Sequence, residues 1–202
     1  METKVELIKS TKYITSKWSG GTTSELLIYP DDSKYSERNF KWRISSARIE
    51  VTTSLFTKLP GITRHIMVTD GLITLEHQDR YEKVLRPFDK DSFMGDWETK
   101  SYGKATDFNL MLANDFTGSL QVYFIEKDQI IDIAINEGRD KNVTNVFYAL
   151  NGNVEIYVDN KKFHIEEKDL LYVTGLFTDE KMIRFVNRSA CKIVVIRALI
   201  WG

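Results

Sequence analysis

Arg64-His65-Ile66-Met67-Val68-Thr69-Asp70-Gly71-Leu72-Ile73-Thr74-Leu75-Glu76 has an echo later in the chain. The echo is Asn145-Val146-Phe147-Tyr148-Ala149-Leu150-Asn151-Gly152-Asn153-Val154-Glu155-Ile156-Tyr157. Each copy is an apolar run, an Asp-Gly or Asn-Gly pair, and a second run that alternates apolar with polar. Asp-Gly and Asn-Gly favour the type I′ turn, because that turn needs positive φ, which glycine and asparagine tolerate. Each copy therefore predicts a hairpin. The first continues through a turn at Gln78-Asp79-Arg80 and a strand to Asp91-Ser92-Phe93-Met94-Gly95. The second continues through Asp159-Asn160 and a strand to Asp169-Leu170-Leu171-Tyr172-Val173. The order is the same in both: strand, turn, strand, turn, strand, acidic turn, strand.

Working outward, strand signals dominate. Alternating or β-branched runs fall at 5–8, 24–29, 42–51, 108–113, 120–126, 129–135, 182–186 and 192–199, besides those of the repeat. The best helical candidate is a turn or two near Asp31–Glu37, after Pro30. Many short strands at close spacing predict a sandwich or barrel. The repeated order is the cupin pattern, a small double-sheet jelly roll. The expected fold is all-β, a bicupin of two fused jelly-roll-like β-barrels with little helix. Residues 1–118 would form the first barrel and 119–202 the second, in one compact unit.

Composition bounds the function classes. The chain has 202 residues, 42% of them hydrophobic, which is ample for a core. Its net charge of −1 gives no field to attract nucleic acid or an anionic membrane. No apolar run approaches the ~20 residues that span a bilayer, and Glu2-Thr3-Lys4-Val5-Glu6 does not read as a secretory signal. A cytoplasmic protein is expected. Cys191 is the only cysteine, so neither an intrachain disulfide nor a cysteine zinc site is expected.

The candidate chemistry lies in the first half. Phe40-Lys41-Trp42-Arg43-Ile44-Ser45-Ser46-Ala47-Arg48-Ile49 alternates as a strand, and a Pro60-Gly61 turn leads into the strand that carries Arg64. Arg43 and Arg64 are thus set in strands. A guanidinium is a fixed fork of donors that suits a carboxylate, and two held by a sheet can bind a small anion. Solvated or salt-bridged strand arginines are the plainer alternative. Gly20-Gly21-Thr22-Thr23 lacks the Gly-Lys-Ser/Thr of a phosphate loop. It either offers amides and hydroxyls to an anion or simply turns the chain. Asp107 and Asn109 share a strand face and either orient a ligand or satisfy turns and backbone. Asp96, after Gly95, is open to the same two readings. A cupin metal site takes a His-x-His pair, a carboxylate and a distal histidine. His65, His77 and His164 form no such pair, although His65 and His77 would flank one hairpin. Neither a metal nor another cofactor is expected. No Gly-x-Ser-x-Gly elbow occurs, and no catalytic residue is assigned.

An ordered set of segments carries a resemblance. Trp18-Ser19-Gly20-Gly21-Thr22-Thr23-Ser24-Glu25 is followed by Phe40–Ala47, Phe56–Arg64, Pro87-Phe88, Phe93-Met94-Gly95-Asp96 and Asp107-Phe108-Asn109-Leu110-Met111. In order and spacing these resemble the HutD/Ves family of cupin-like proteins, over roughly residues 13 to 113. The glycine segment is about two residues shorter than the commoner form, and Ser24 stands where many members carry Arg. The resemblance implies a bicupin-like fold without the usual metal histidines. It also implies an accessory or regulatory role in histidine utilisation, with other relatives linked to stress or cold responses.

The leading expectation is therefore a non-catalytic protein that binds a small carboxylate, such as an intermediate of histidine breakdown. Trp18, Gly20, Gly21, Thr22, Thr23, Glu25, Arg43, Ser45, Arg64, Asp96 and Asn109 would line the site. Arg43 and Arg64 would pair with carboxylate. The alternatives are a small-metabolite enzyme that uses Glu25 or Asp96 as base, and an interaction scaffold whose plain second half serves as a homodimer surface.

Overall fold

A computed structural model describes residues 3–135, 142–176 and 181–202. Its strands are β1 (Lys4–Ile8), β2 (Ile14–Trp18), β3 (Gly21–Tyr29), β4 (Trp42–Ile49), β5 (Thr53–Leu55), β6 (Ile62–His77), β7 (Tyr81–Leu85), β8 (Lys90–Met94) and β9 (Thr99–Ala113). They continue as β10 (Thr117–Ile125), β11 (Ile130–Ala134), β12 (Asn142–Asn151), β13 (Val154–Val158), β14 (Lys161–Ile165), β15 (Leu170–Leu176), β16 (Met182–Val186) and β17 (Ile193–Trp201). Helix is confined, among the described residues, to single 3-10 turns at Ser10–Lys12 and Tyr35–Glu37. The chain is all-β, as its alternation predicts.

Two compact units divide it: Tyr13–Leu120, and Met1–Lys12 together with Gln121–Gly202. β1 pairs antiparallel with β15, so the first twelve residues, expected with 13–118, stand in the second unit. That unit has a five-stranded sheet, β1-β15-β12-β17-β10, and a four-stranded sheet, β11-β16-β13-β14. Val154, Ile156 and Val158 of β13 are buried, while Glu155 and Tyr157 between them are half-buried, the pattern of a strand with one face in the core. Phe147 of β12 meets Phe185 of β16 edge to face, ring centres 5.0 Å apart, in a core drawn from both sheets. Asn151-Gly152 does carry the positive φ its sequence predicts, 68° at Gly152. It joins strands of different sheets, however, so it is a corner rather than the expected hairpin.

The first unit is one eight-stranded sheet, β2-β3-β4-β9-β6-β7, with β5 also on β9 and β8 also on β6. The expected hairpin at Asp70-Gly71 is absent. β6 runs unbroken through it, with a bulge between Val68 and Asp70 against β9. The Asp-Gly signal reports a positive φ, 81° at Gly71, and a bulge uses that conformation as readily as a hairpin does. A Cβ at Gly71 would lie 2.4 Å from the Lys104 carbonyl oxygen, so glycine alone fits. Ile66 and Val68 before the bulge share a cluster with Ile73 and Leu75 after it, together with Ile49, Leu85 and Phe93. The β6/β9 ribbon therefore bends over its own core. The sheets are cupin-like but open: none closes into the barrel that was expected.

Because β6 is continuous, His65 and His77 do not flank a turn. Half-buried His65 hydrogen-bonds the Ser92 hydroxyl at 2.7 Å, and burial holds its pKa below the ordinary value. His77 is fully buried, with Nδ1 2.9 Å from Thr99 Oγ1 and Nε2 3.0 Å from Asp91. Tyr81, Phe93 and Trp97 pack around its ring. This network ties β6, β7, β8 and β9 together.

Candidate functional site

Strand register builds the site. Across β3, β4, β9 and β6, Glu25, Ser45, Asn109 and Ile66 form one row. Ile28, Arg43, Met111 and Arg64 form the next row, and Thr23, Ala47, Asp107 and Val68 the row on its other side. Side chains two residues apart share a sheet face, so all three rows point the same way. Arg43, Ser45, Arg64, Asp107 and Asn109 are all buried on that face. Phe40, Leu59, Ile62 and Met111 form an apolar cluster at one end of it, and Ile66 and Val68 belong to the larger cluster at the other.

Arg43 is anchored on one side. Its Nε donates to Glu25 at 2.7 Å and its Nη1 to Ser45 Oγ at 3.1 Å. Its guanidinium lies 4.4 Å from the centre of the Tyr35 ring, a cation–π contact. Arg64 donates Nη2 to the Thr57 carbonyl at 2.7 Å and lies 5.4 Å from the centre of the Phe56 ring. Tyr35 stacks on Arg43 and also acts on the Arg64 charge, so it stands beside both arginines. Burial pulls the Arg64 pKa down, while Tyr35 and Asp107 pull it up. Two guanidinium groups and two carboxylates, Glu25 and Asp107, make up the charge of this face.

Three buried polar atoms here have no hydrogen-bond partner among the described residues: Arg64 Nε, Asp107 Oδ1 and Asn109 Oδ1. Leaving such an atom unpaired costs about 1–3 kcal/mol, so proteins seldom gather three without a use for them. One is a donor on a cation and two are acceptors. Burial pushes the Asp107 carboxyl up to about 7, against the pull of the Ala47 backbone N–H and the Arg64 charge. The face can thus take an anion at Arg64 and can hold or release a proton at Asp107.

The sequence-predicted residues separate into two groups. Glu25, Arg43, Ser45, Arg64 and Asn109 come together, and Thr23 joins their face beside Ala47. Thr22, one residue off, faces the other way. Trp18, Gly20 and Gly21 form the β2–β3 hairpin beyond this face: the Gly20 carbonyl accepts the Glu50 N–H at 2.8 Å, and the Trp18 ring lies over Gly20. Gly21 has φ +153°, and a Cβ there would lie 1.9 Å from the Arg48 carbonyl oxygen. These two glycines are therefore explained by the turn. Asp96 is exposed in a turn following β8. Sequence reasoning missed Tyr35, Phe56 and Thr57, which enter from connections whose path no periodicity encodes. Among the described residues, no three His, Cys, Asp or Glu side chains group so as to hold a metal ion. Among the described residues, no helix is long and apolar enough to cross a membrane.

Comparison with solved structures supports the fold. A conserved protein of unknown function from Pseudomonas aeruginosa superposes with a TM-score of 0.83 at 22% identity, covering 98% of this chain and 100% of that one. HutD from Pseudomonas fluorescens SBW25 gives a TM-score of 0.68 at 20% identity, over 96% of this chain and 98% of that one. Oxalate decarboxylase from Bacillus subtilis, a protein with Mn(II) centres, gives 0.66 at 7% identity, over 98% of this chain and 76% of that one. The sequence model of the HutD family matches residues 10–191, nearly the whole chain. The protein belongs to the HutD family.

Proposed function

We propose that this protein binds a small carboxylate metabolite on the buried face of its first unit, as a non-catalytic accessory or regulator of histidine utilisation. The observation that carries the reading is Arg64: a guanidinium buried to 3% exposure whose Nε has no acceptor among the described residues. Arg43, the second guanidinium, is aligned by Glu25 and Ser45. Two converging forks suit carboxylate better than any neutral group. Family membership directs the choice of acids to histidine breakdown, and the solved HutD from P. fluorescens was studied in a formate condition, formate being the smallest carboxylate.

A thermal-shift screen against histidine, urocanate, glutamate, N-formylglutamate and citrate tests the reading. A ligand at about 100 times its Kd stabilises by roughly 2.7 kcal/mol, on the order of 5–10 °C for a chain of this size. At least one acid of the set is expected to give such a shift. No shift from any of them overturns the proposal and favours the scaffold reading.

A further inference from the structure

With Asp107 ionised, the buried face of the first unit is balanced in charge before any ligand arrives. Arg43 is offset by Glu25, bonded at 2.7 Å, and Arg64 by Asp107. The proposed carboxylate would add a negative charge to a site that is already neutral and largely shut off from water. Burying an uncompensated charge is costly, and sites avoid it by changing protonation.

Among the groups that face this site, one is suited to change. Glu25 on β3 accepts from the Arg43 Nε and keeps 23% of its side chain exposed. Arg43 on β4 and Arg64 on β6 stay cationic. Tyr35, on the 3-10 turn, stands beside both arginines. β9 contributes Asp107, with Asn109 and Met111 as its neighbours on the face, while β8 and the segment before β6 bring Phe93 and Phe56, which do not titrate. Asp107 is 2% exposed, and its Oδ1 has no donor among the described residues. A proton on that oxygen removes the excess charge and turns an unpaired acceptor into a donor.

We propose that Asp107 is the proton carrier of the binding site, its carboxylate taking one proton from solvent as a carboxylate ligand settles against Arg43 and Arg64. The inference rests on the reading of this face as a carboxylate site. Burial, which places the Asp107 carboxyl near 7 in the free protein, agrees with it. Below that pH the proton is already in place and binding is insensitive to pH. Above it, affinity falls as the proton must be drawn from an increasingly dilute supply, up to tenfold per pH unit.

N-formylglutamate is the probe, because neither of its carboxylates titrates between pH 6 and 8.5. Calorimetric titration at pH 8 in buffers of different ionisation enthalpy is expected to show uptake approaching one proton per ligand bound. Kd is expected to weaken progressively from pH 7 to 8.5. Asp107→Asn should bind with no proton uptake and a flat pH profile. Wild-type binding without proton uptake overturns the inference and leaves the site reading standing. Uptake that persists in Asp107→Asn assigns the proton elsewhere and also overturns it. Absence of binding at every pH overturns the site reading itself.

Discussion

Arg64→Met is expected to weaken carboxylate binding by about two orders of magnitude while the protein still folds. Truncating one partner of a buried charged hydrogen bond costs on the order of 2–5 kcal/mol, or roughly thirty- to several-thousand-fold in Kd. Methionine keeps much of the arginine stem, so the loss falls on the charged head and its cation–π contact with Phe56. The one observed bond given up is to the Thr57 carbonyl, at 2.7 Å. Arg43→Ala reaches the same endpoint by a different route. It removes the second fork but leaves Glu25 and Ser45 without their donor, so it should lower stability as well as binding. Calorimetry and urea unfolding on both variants separate the two effects. Wild-type affinity in both variants would move the ligand away from this face.

The second large effect is on stability against pH. The Asp107 carboxyl sits at about 7 in the folded protein, against an unfolded value of 3.8. The folded state therefore binds this proton more tightly, and stability falls as pH rises between about 4 and 7. The full penalty above pH 7 is on the order of 4 kcal/mol at most. Asp107→Asn removes it, because an amide does not ionise. Urea unfolding at pH 5 and pH 8 should show the wild type losing a few kcal/mol more than the variant over this interval. Asp132, held low by its hydrogen bond to Arg184, acts only at lower pH and equally in both proteins. Equal losses in wild type and variant would show that Asp107 is ionised in the folded protein well below pH 7.

Much of this was legible in the sequence, for physical reasons that differ by residue. The alternation of β4 places Arg43 and Ser45 on one face, and antiparallel pairing brings Asn109 and Arg64 into line with them. Asp70-Gly71 was legible as a positive φ but not as a bulge, because the dipeptide encodes the backbone angle and the choice between turn and bulge lies in the pairing beyond it. The twin glycines at 20 and 21 read equally well as an anion loop or a turn, and they lie in the β2–β3 hairpin. What separates the two is the Arg48 carbonyl against Gly21 and the Trp18 ring over Gly20, contacts that no local pattern announces. Tyr35 was invisible for the same reason. It stands beside the arginines on a single 3-10 turn whose position is set by tertiary packing. The pairing of β1 with β15 joins residues at opposite ends of the chain, and strand propensity cannot name the partner.

The central claim, that Arg64 waits for an anion, is tested most directly by following its own Nε–H. In nitrogen-labelled protein the arginine Nε–H signals are resolved by NMR, and that of Arg64 is identified by its loss in Arg64→Lys. Titration with N-formylglutamate is predicted to move the Arg64 signal in a saturable way as Nε gains an acceptor. The Arg184 signal, whose Nε already donates to Asp132 at 2.8 Å, should stay where it is. An Arg64 signal that stays in place through saturation would contradict the account.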